Sequence, residues 1–376
     1  MRNLGLDIAR SLAIVMVLIS HGRAFFPNYD LQFLSINGYF GVELFFVLSG
    51  FLIGKIIVTE VLEQNSISNL KNFYVRRWFR TLPLYFLVVL FLFVIGRPFD
   101  IRSLIFLQNF SAESLGFIPV SWSLAIEEWF YLLIPFLILL LLNFWKSSKK
   151  NFFIFFCTVF ILLETIARIV YVLKYNPSWD FGVRKQIFLR MDSLLIGVML
   201  AGIKIYYKEI YDRVIQHSKS VFAVAVLGLI ACGLYYVFVL EGGKEVINTS
   251  FFGRTLLFSL VSFFFALLIA VLEKSYFINN VLARTNLSKL FRFISLTSYA
   301  VYLIHYDIYH YFQTWTTVKG ASSIELNFGY LIIAIVVTFS MASILYKYYE
   351  LPIMKLRDKF SSKEYRGARL DTAVTK

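Results

Sequence analysis

Ten stretches of this 376-residue chain are apolar for about the length a helix needs to cross a bilayer, roughly 20 residues. They run Leu4–Phe26, Phe40–Val58, Leu82–Gly96, Trp122–Asn143, Phe152–Leu173, Leu189–Ile205, Val221–Leu240, Phe251–Leu272, Ile294–Phe312 and Phe328–Tyr349. In hydrocarbon each backbone N–H and C=O must be satisfied within its own segment, so these runs predict helices. The expected fold is an all-α integral membrane protein, a polytopic bundle of about ten transmembrane helices. The third run is short, and Ile101–Phe110 reads as an extra half-helix or an interfacial one. Hydrophobic residues make up 59% of the chain, against about 45–50% in soluble domains.

Basic residues set the expected orientation. With the N-terminus inside, the cytoplasmic segments hold about 25 Lys and Arg and the external loops about eight. Both termini are therefore expected in the cytoplasm. The net charge of +14 then reports topology, and no soluble basic face suggests a nucleic-acid partner. Cys157 and Cys232 fall within spans, which gives neither a disulfide framework nor a metal spacing. Four dispersed histidines predict no metal site. The N-terminus does not read as a cleaved signal peptide. One membrane domain over residues 1–357 and a polar cytoplasmic tail over 358–376 leave no room for a second globular domain.

Within the first span, Arg10 and His21 are eleven residues apart. Eleven steps of about 100° make three turns plus roughly 20°, so both project from one helix face, with Asp7 close to it. A charge inside a membrane is expensive and normally faces a protein interior or a wet cavity. The blander reading is a helix anchored at the headgroups by Asp7 and Arg10. Other polar residues fall at the external ends of their spans. These are Glu43 in span two, Trp122, Ser123 and Glu127 in span four, and Arg190 and Asp192 in span six, with His305 just past the middle of span nine. Together they predict one shared polar cavity near the external face. Arg190, Asp192 and His305 read equally as acceptor-path residues or as an ion pair and a satisfied buried histidine. Glu164 and Arg168, four apart, read as a local pair.

The cytoplasmic side differs. Leu70–Thr81 reads LKNFYVRRWFRT, in which Arg77 and Arg80 are helix neighbours suited to phosphate oxygens. An ordinary positive-inside cluster has the same appearance. Gly41, Ser49, Gly50 and Gly54 on span two allow close approach of a helix or a ligand.

In their order these segments resemble membrane acyltransferase family 3. The resemblance rests on LDIARSLAIVMVLISH with Arg10 and His21, GVELFFVLSGF from Gly41, RRWFRTLPLY, WSLAIEEWFY from Trp122, RMDSLLIG from Arg190, YLIH ending at His305, and YYELP. It implies a multi-pass protein of the bacterial inner (plasma) membrane. The implied activity moves an acyl group, usually acetyl, from cytoplasmic acyl-CoA to a hydroxyl reached from outside. No permanently bound cofactor is implied, and acyl-CoA is the donor substrate. The expected acceptor is a surface polysaccharide, O-antigen or oligosaccharide, free or lipid-linked. A homo-oligomer is left open.

On that resemblance His21 is expected to be the general base or a transient acyl carrier, with Glu43 or Glu127 orienting its ring. Arg10, Arg77 and Arg80 would bind the donor. Arg10, Ser49, Trp122 and Ser123 are oxyanion candidates, and Arg190, Asp192 and His305 are candidates for lining the acceptor path. Some family members carry a fused extracytoplasmic hydrolase-like domain, and this chain is expected to act alone or with a separate partner. The competing class is a transporter or flippase of a lipid-linked glycan without covalent chemistry, for which inverted repeats or paired broken helices would speak. A regulator keeping the fold without the chemistry would lack His21 or the Arg pair.

Overall fold

The computed structural model describes residues 2–110, 115–241, 244–318 and 323–360. Within them the chain forms fourteen α-helices linked by short 3₁₀ and π-helical turns, and no β-strand occurs among the described residues. The first five are α1 (Leu4–Gly22), α2 (Ser35–Ile56), α3 (Ile67–Val94), α4 (Trp122–Leu142) and α5 (Lys149–Tyr175). Next come α6 (Asp192–Tyr206), α7 (Lys208–Gln216), α8 (Ser218–Glu241), α9 (Lys244–Thr249) and α10 (Phe251–Arg254). The last are α11 (Leu257–Lys274), α12 (Asn286–Val318), α13 (Ile324–Leu345) and α14 (Leu351–Phe360).

Nine helical stretches among the described residues are long and apolar enough to cross a membrane. They coincide with nine of the ten expected spans, and α6 corresponds to the tenth. Its 15 residues rise only about 22 Å, short of the roughly 30 Å hydrocarbon core. Trp179, Val183 and Ile187, in the irregular segment that leads into it, are buried in protein.

Glycines explain how closely α6 and α2 approach. A Cβ at Gly50 would lie 1.9 Å from the Leu194 carbonyl oxygen, and one at Gly197 would lie 2.1 Å from that of Val47. The small residues of span two thus serve helix packing. α1 starts where the Asn3 side chain accepts from the Leu6 N–H at 3.1 Å, the expected N-cap contact. It then packs between α2 and α12.

Two expectations change. α3 begins at Ile67 rather than Leu82, so the arginine cluster forms its first turns. Pro83 lies inside it, and Tyr299 and Tyr349 donate to the carbonyls of Thr81 and Pro83 at 2.6 and 3.2 Å. Ile101–Phe110 is no half-helix: a 3₁₀ turn over Ile101–Ile105 ends at Phe106, whose φ of 58° breaks the helical path. A π-helical turn, Tyr346–Glu350, joins α13 to α14. The expected tail 358–376 lies outside the described residues apart from the last residues of α14. Arg2 and Asn3 line one cavity with Glu350, Met354 and Arg357. Both described ends therefore lie on one face of the bundle, here the terminal face.

Candidate active site

α1 and α12 bring His21 and His305 together, 284 residues apart in sequence, with Nδ1 of His21 2.7 Å from Nε2 of His305. The rings stack with centroids 4.9 Å apart. Hydrogen-bond partners assign the tautomers. Nδ1 of His305 faces the carbonyl oxygens of Tyr302 at 2.8 Å and Val301 at 3.1 Å. Carbonyls only accept, so Nδ1 of His305 carries the hydrogen and its Nε2 is an acceptor. Nδ1–H of His21 must then be the donor. Nε2 of His21 is left with its lone pair, in a residue that lines a cavity of about 720 Å³ on the face opposite the termini.

A second cavity, about 460 Å³, opens on the terminal face and is lined by Arg2, Asp7, Arg10, Arg76, Arg77 and Arg80 among others. Its charges are unequally compensated. Asp7 is held by Arg2 at 2.8 Å and by the Ser295 hydroxyl at 2.7 Å. Arg77 donates to Glu127 at 3.0 Å and lies 4.0 Å over the Tyr131 ring, while the Tyr131 hydroxyl donates to the same carboxylate at 2.9 Å. Arg10 and Arg80 form no ion pair among the described residues. Arg2, Arg10, Arg76, Arg77 and Arg80 thus line this cavity with the carboxylates of Asp7 and Glu350, an excess of positive charge of the kind expected for binding phosphate.

Between the two lies a neck of about 90 Å³. It shares Arg10, Ser49, Arg77 and Arg80 with the terminal-face cavity, and Val42 and Tyr302 with the other. Three cavities that share lining residues thus lie in series between the two faces of the bundle. Ser123 and Glu127 line the neck. The Ser123 hydroxyl donates to that of Tyr302 at 2.6 Å, and the Tyr302 hydroxyl donates to the Val120 carbonyl at 3.0 Å. Trp122 lines the opposite-face cavity beneath Arg184, 4.7 Å from its ring.

Glu43, Arg190 and Asp192 lie elsewhere. Arg190 donates to Glu43 at 2.6 Å, and the hydroxyls of Ser193 and Ser262 donate to the same carboxylate at 2.8 and 3.1 Å. Asp192 accepts from Arg168 at 3.0 Å and from Ser259 at 2.5 Å. All four charged side chains are fully buried, and none of them lines the three cavities. This network ties α2, α5, α6 and α11 together. It corrects the single-cavity expectation and separates Arg190 and Asp192 from any acceptor path. Neither Glu43 nor Glu127 is the partner of His21, which bonds to His305. Arg168 pairs with Asp192 rather than Glu164, whose buried carboxylate oxygens have no hydrogen-bond partner among the described residues.

Sequence reasoning passed over Arg23, Asp180, Arg184, Lys185 and Tyr302, all on the wall of the opposite-face cavity. The available signal was the placement of basic residues on the side where positive-inside bias disfavours them. Arg184 and Lys185 bond to Asp180 at 2.7 and 2.5 Å. Burial, and then the Arg184 charge, push the Lys185 ammonium down to about 8. Burial alone would raise the Asp180 carboxyl, but the two cations outweigh it and hold it below its ordinary range. No group of three His, Cys, Asp or Glu with metal-binding geometry occurs among the described residues.

Over residues 3–347 the chain matches the family described as an acyltransferase domain. Among curated proteins, the O-acetyltransferase OatA of Staphylococcus aureus strain NCTC 8325 / PS 47 is 28% identical over 381 residues, covering 93% of this chain and 57% of that protein. OatA of strain COL is similar to the same degree. The chain thus spans little more than half the length of the curated relatives it matches. No solved structure matches it significantly.

Proposed function

The chain belongs to this acyltransferase family, and from that premise we propose that it is a membrane-embedded O-acetyltransferase. Its donor is acyl-CoA, chiefly acetyl-CoA, taken from the cytoplasm at the terminal face. Its acceptor is a hydroxyl of an extracytoplasmic or lipid-linked glycan at the opposite face. The observation that carries the reading is the bare Nε2 of His21 in the cavity of one face, with an arginine-rich cavity at the other face and a small neck between them.

Arg10 and Arg80 receive the phosphates of CoA, and the flexible arm of the donor runs through the neck. Nε2 of His21 removes the acceptor's hydroxyl proton as the oxygen attacks the thioester carbonyl. A C–O bond forms, the C–S bond breaks, and the proton passes from His21 to the departing sulfur, giving an ester and CoA thiol. General base catalysis of this kind contributes typically about 10²–10⁴-fold. His305 holds the ring in the required tautomer and accepts from Nδ1–H throughout. Ser49, Trp122 and the guanidinium of Arg10 are the donors along the route for the developing oxyanion, whereas the Ser123 hydrogen is committed to Tyr302.

The test compares membranes holding the intact protein with membranes holding His21→Ala at matched expression. Both receive acetyl-CoA labelled in the acetyl group together with envelope glycan from the source cell. Base-labile label on the glycan with the intact protein, and at least about a hundredfold less with the variant, is the expected result. Equal label in both would remove His21 from the chemistry. A glycan that crosses the membrane unlabelled would favour transport instead.

A further inference from the structure

The opposite-face cavity carries a charge imbalance that acetyl transfer to a neutral sugar does not require. Three cations, Arg23, Arg184 and Lys185, line it with one carboxylate, Asp180. Both oxygens of Asp180 are occupied, Oδ1 by Arg184 at 2.7 Å and Oδ2 by Lys185 at 2.5 Å. Arg23 forms no ion pair among the described residues. The formal balance is one negative charge against three positive. Arg184 lies between Trp122 at 4.7 Å and Trp179 at 5.2 Å, and the side chains of Arg184 and Lys185 are only 15% and 12% exposed, which limits the screening of their charges by water. A concave site lined by one sign of charge concentrates ligands of the other sign.

Resting on the function proposed above, we infer that the acceptor is an anionic glycan. Its carboxylate or phosphate sits against Arg23, Arg184 and Lys185, and this places the reacting hydroxyl beside His21. Two guanidinium forks and an ammonium suit either anion, since both offer paired oxygens to a planar donor. The aromatic rings provide apolar faces for the sugar. His21, Arg23, Arg184 and Lys185 line the same cavity, so one residue of glycan spans both the anion-binding groups and the base. The same contacts select against neutral sugars, which would leave the cations without a counter-charge.

Three probes test this against the full chain in lipid nanodiscs: maltose, its uronate analogue oxidised at a primary hydroxyl, and maltose 1-phosphate. Dissociation constants are read for each in the presence of CoA. Both charged probes are expected to bind at least about tenfold more tightly than maltose, the effect of one charge-assisted contact. That advantage should fall to about threefold or less in Arg23→Gln. Because Arg23 has no ion pair to lose, this variant tests the idea without disturbing the fold. Arg184→Gln should reduce the advantage further. A preference for one charged probe over the other identifies which anion the site takes. Equal affinity for all three, no binding of any, or a charge preference unchanged in both variants would overturn the inference. Acetyl-CoA binding by the same nanodiscs is read separately. Its absence would count against the acyl-transfer reading, while the acidic-to-neutral comparison still decides the present one.

Discussion

The chemistry at residue scale turns on which nitrogen of His21 is bare. Carbonyls on Nδ1 of His305 fix that ring's hydrogen, and the fixed ring then dictates the hydrogen on His21. In the proposed reaction His305 is therefore a positioning residue. His305→Ala is expected to lower kcat by about tenfold to a hundredfold, a fraction of the whole base contribution, with KM for acetyl-CoA within about twofold. His305→Gln should recover part of the loss, because its amide oxygen still accepts from Nδ1–H. A purely packing role would instead be served as well by His305→Leu, which fills the buried site without offering an acceptor. Lys185 makes a second prediction. It faces Asp180 and Arg184 and packs 3.8 Å over Phe181, with Arg23 and His21 on the same cavity wall. Held down to about 8 by burial and Arg184, its charge is present below that pH and lost above it. Affinity for an acidic acceptor should therefore weaken as pH rises through about 8. In Lys185→Gln that step should vanish from a pH titration of KM.

At the scale of elements, the bundle depends on a glycine contact and a buried charge network. Gly50→Val would drive a side chain into the Leu194 carbonyl, so α2 and α6 must separate. The expected cost is about 1–3 kcal/mol or more, read as a lower thermal midpoint in detergent. Glu43→Ala leaves Arg190 buried without its partner, which typically costs about 3–5 kcal/mol. It should therefore lower stability before it touches the chemistry. If Glu43→Ala kept a normal midpoint and lost activity, the carboxylate would belong to the reaction. The spans themselves were legible because apolar runs of the right length have few alternatives in a bilayer. The start of α3 was not, because Ile67–Thr81 is rich in Arg, Lys and Asn and carries no membrane signal of its own. Ion-pair partners were also hidden. Glu43 and Arg190 are 147 residues apart, and nothing local in either segment indicates the other. His21 stood out because a titratable ring in an apolar run is rare, and His305 was visible for the same reason. Their contact depends on α1 and α12 packing together, which no periodicity reveals.

For the whole molecule, the two-sided distribution of charge becomes a passage with two unlike ends. One end presents an excess of arginines, the other an unprotonated imidazole nitrogen beside a cationic, aromatic pocket. In the proposed reaction the neck between them would keep donor and acceptor on opposite sides until the reacting atoms meet. Arg80→Gln should raise KM for acetyl-CoA by about tenfold, the effect of one charge-assisted phosphate contact, and should make that KM less sensitive to salt. The acceptor KM should stay unchanged, because Arg80 does not reach the opposite-face cavity.

The most direct test uses oriented proteoliposomes in which labelled acetyl-CoA and envelope glycan are placed on the same or on opposite sides of the bilayer. Label is predicted on the glycan only when acetyl-CoA faces the terminal side and the glycan the other. Equal labelling with both substrates on one side would contradict transfer through the bundle.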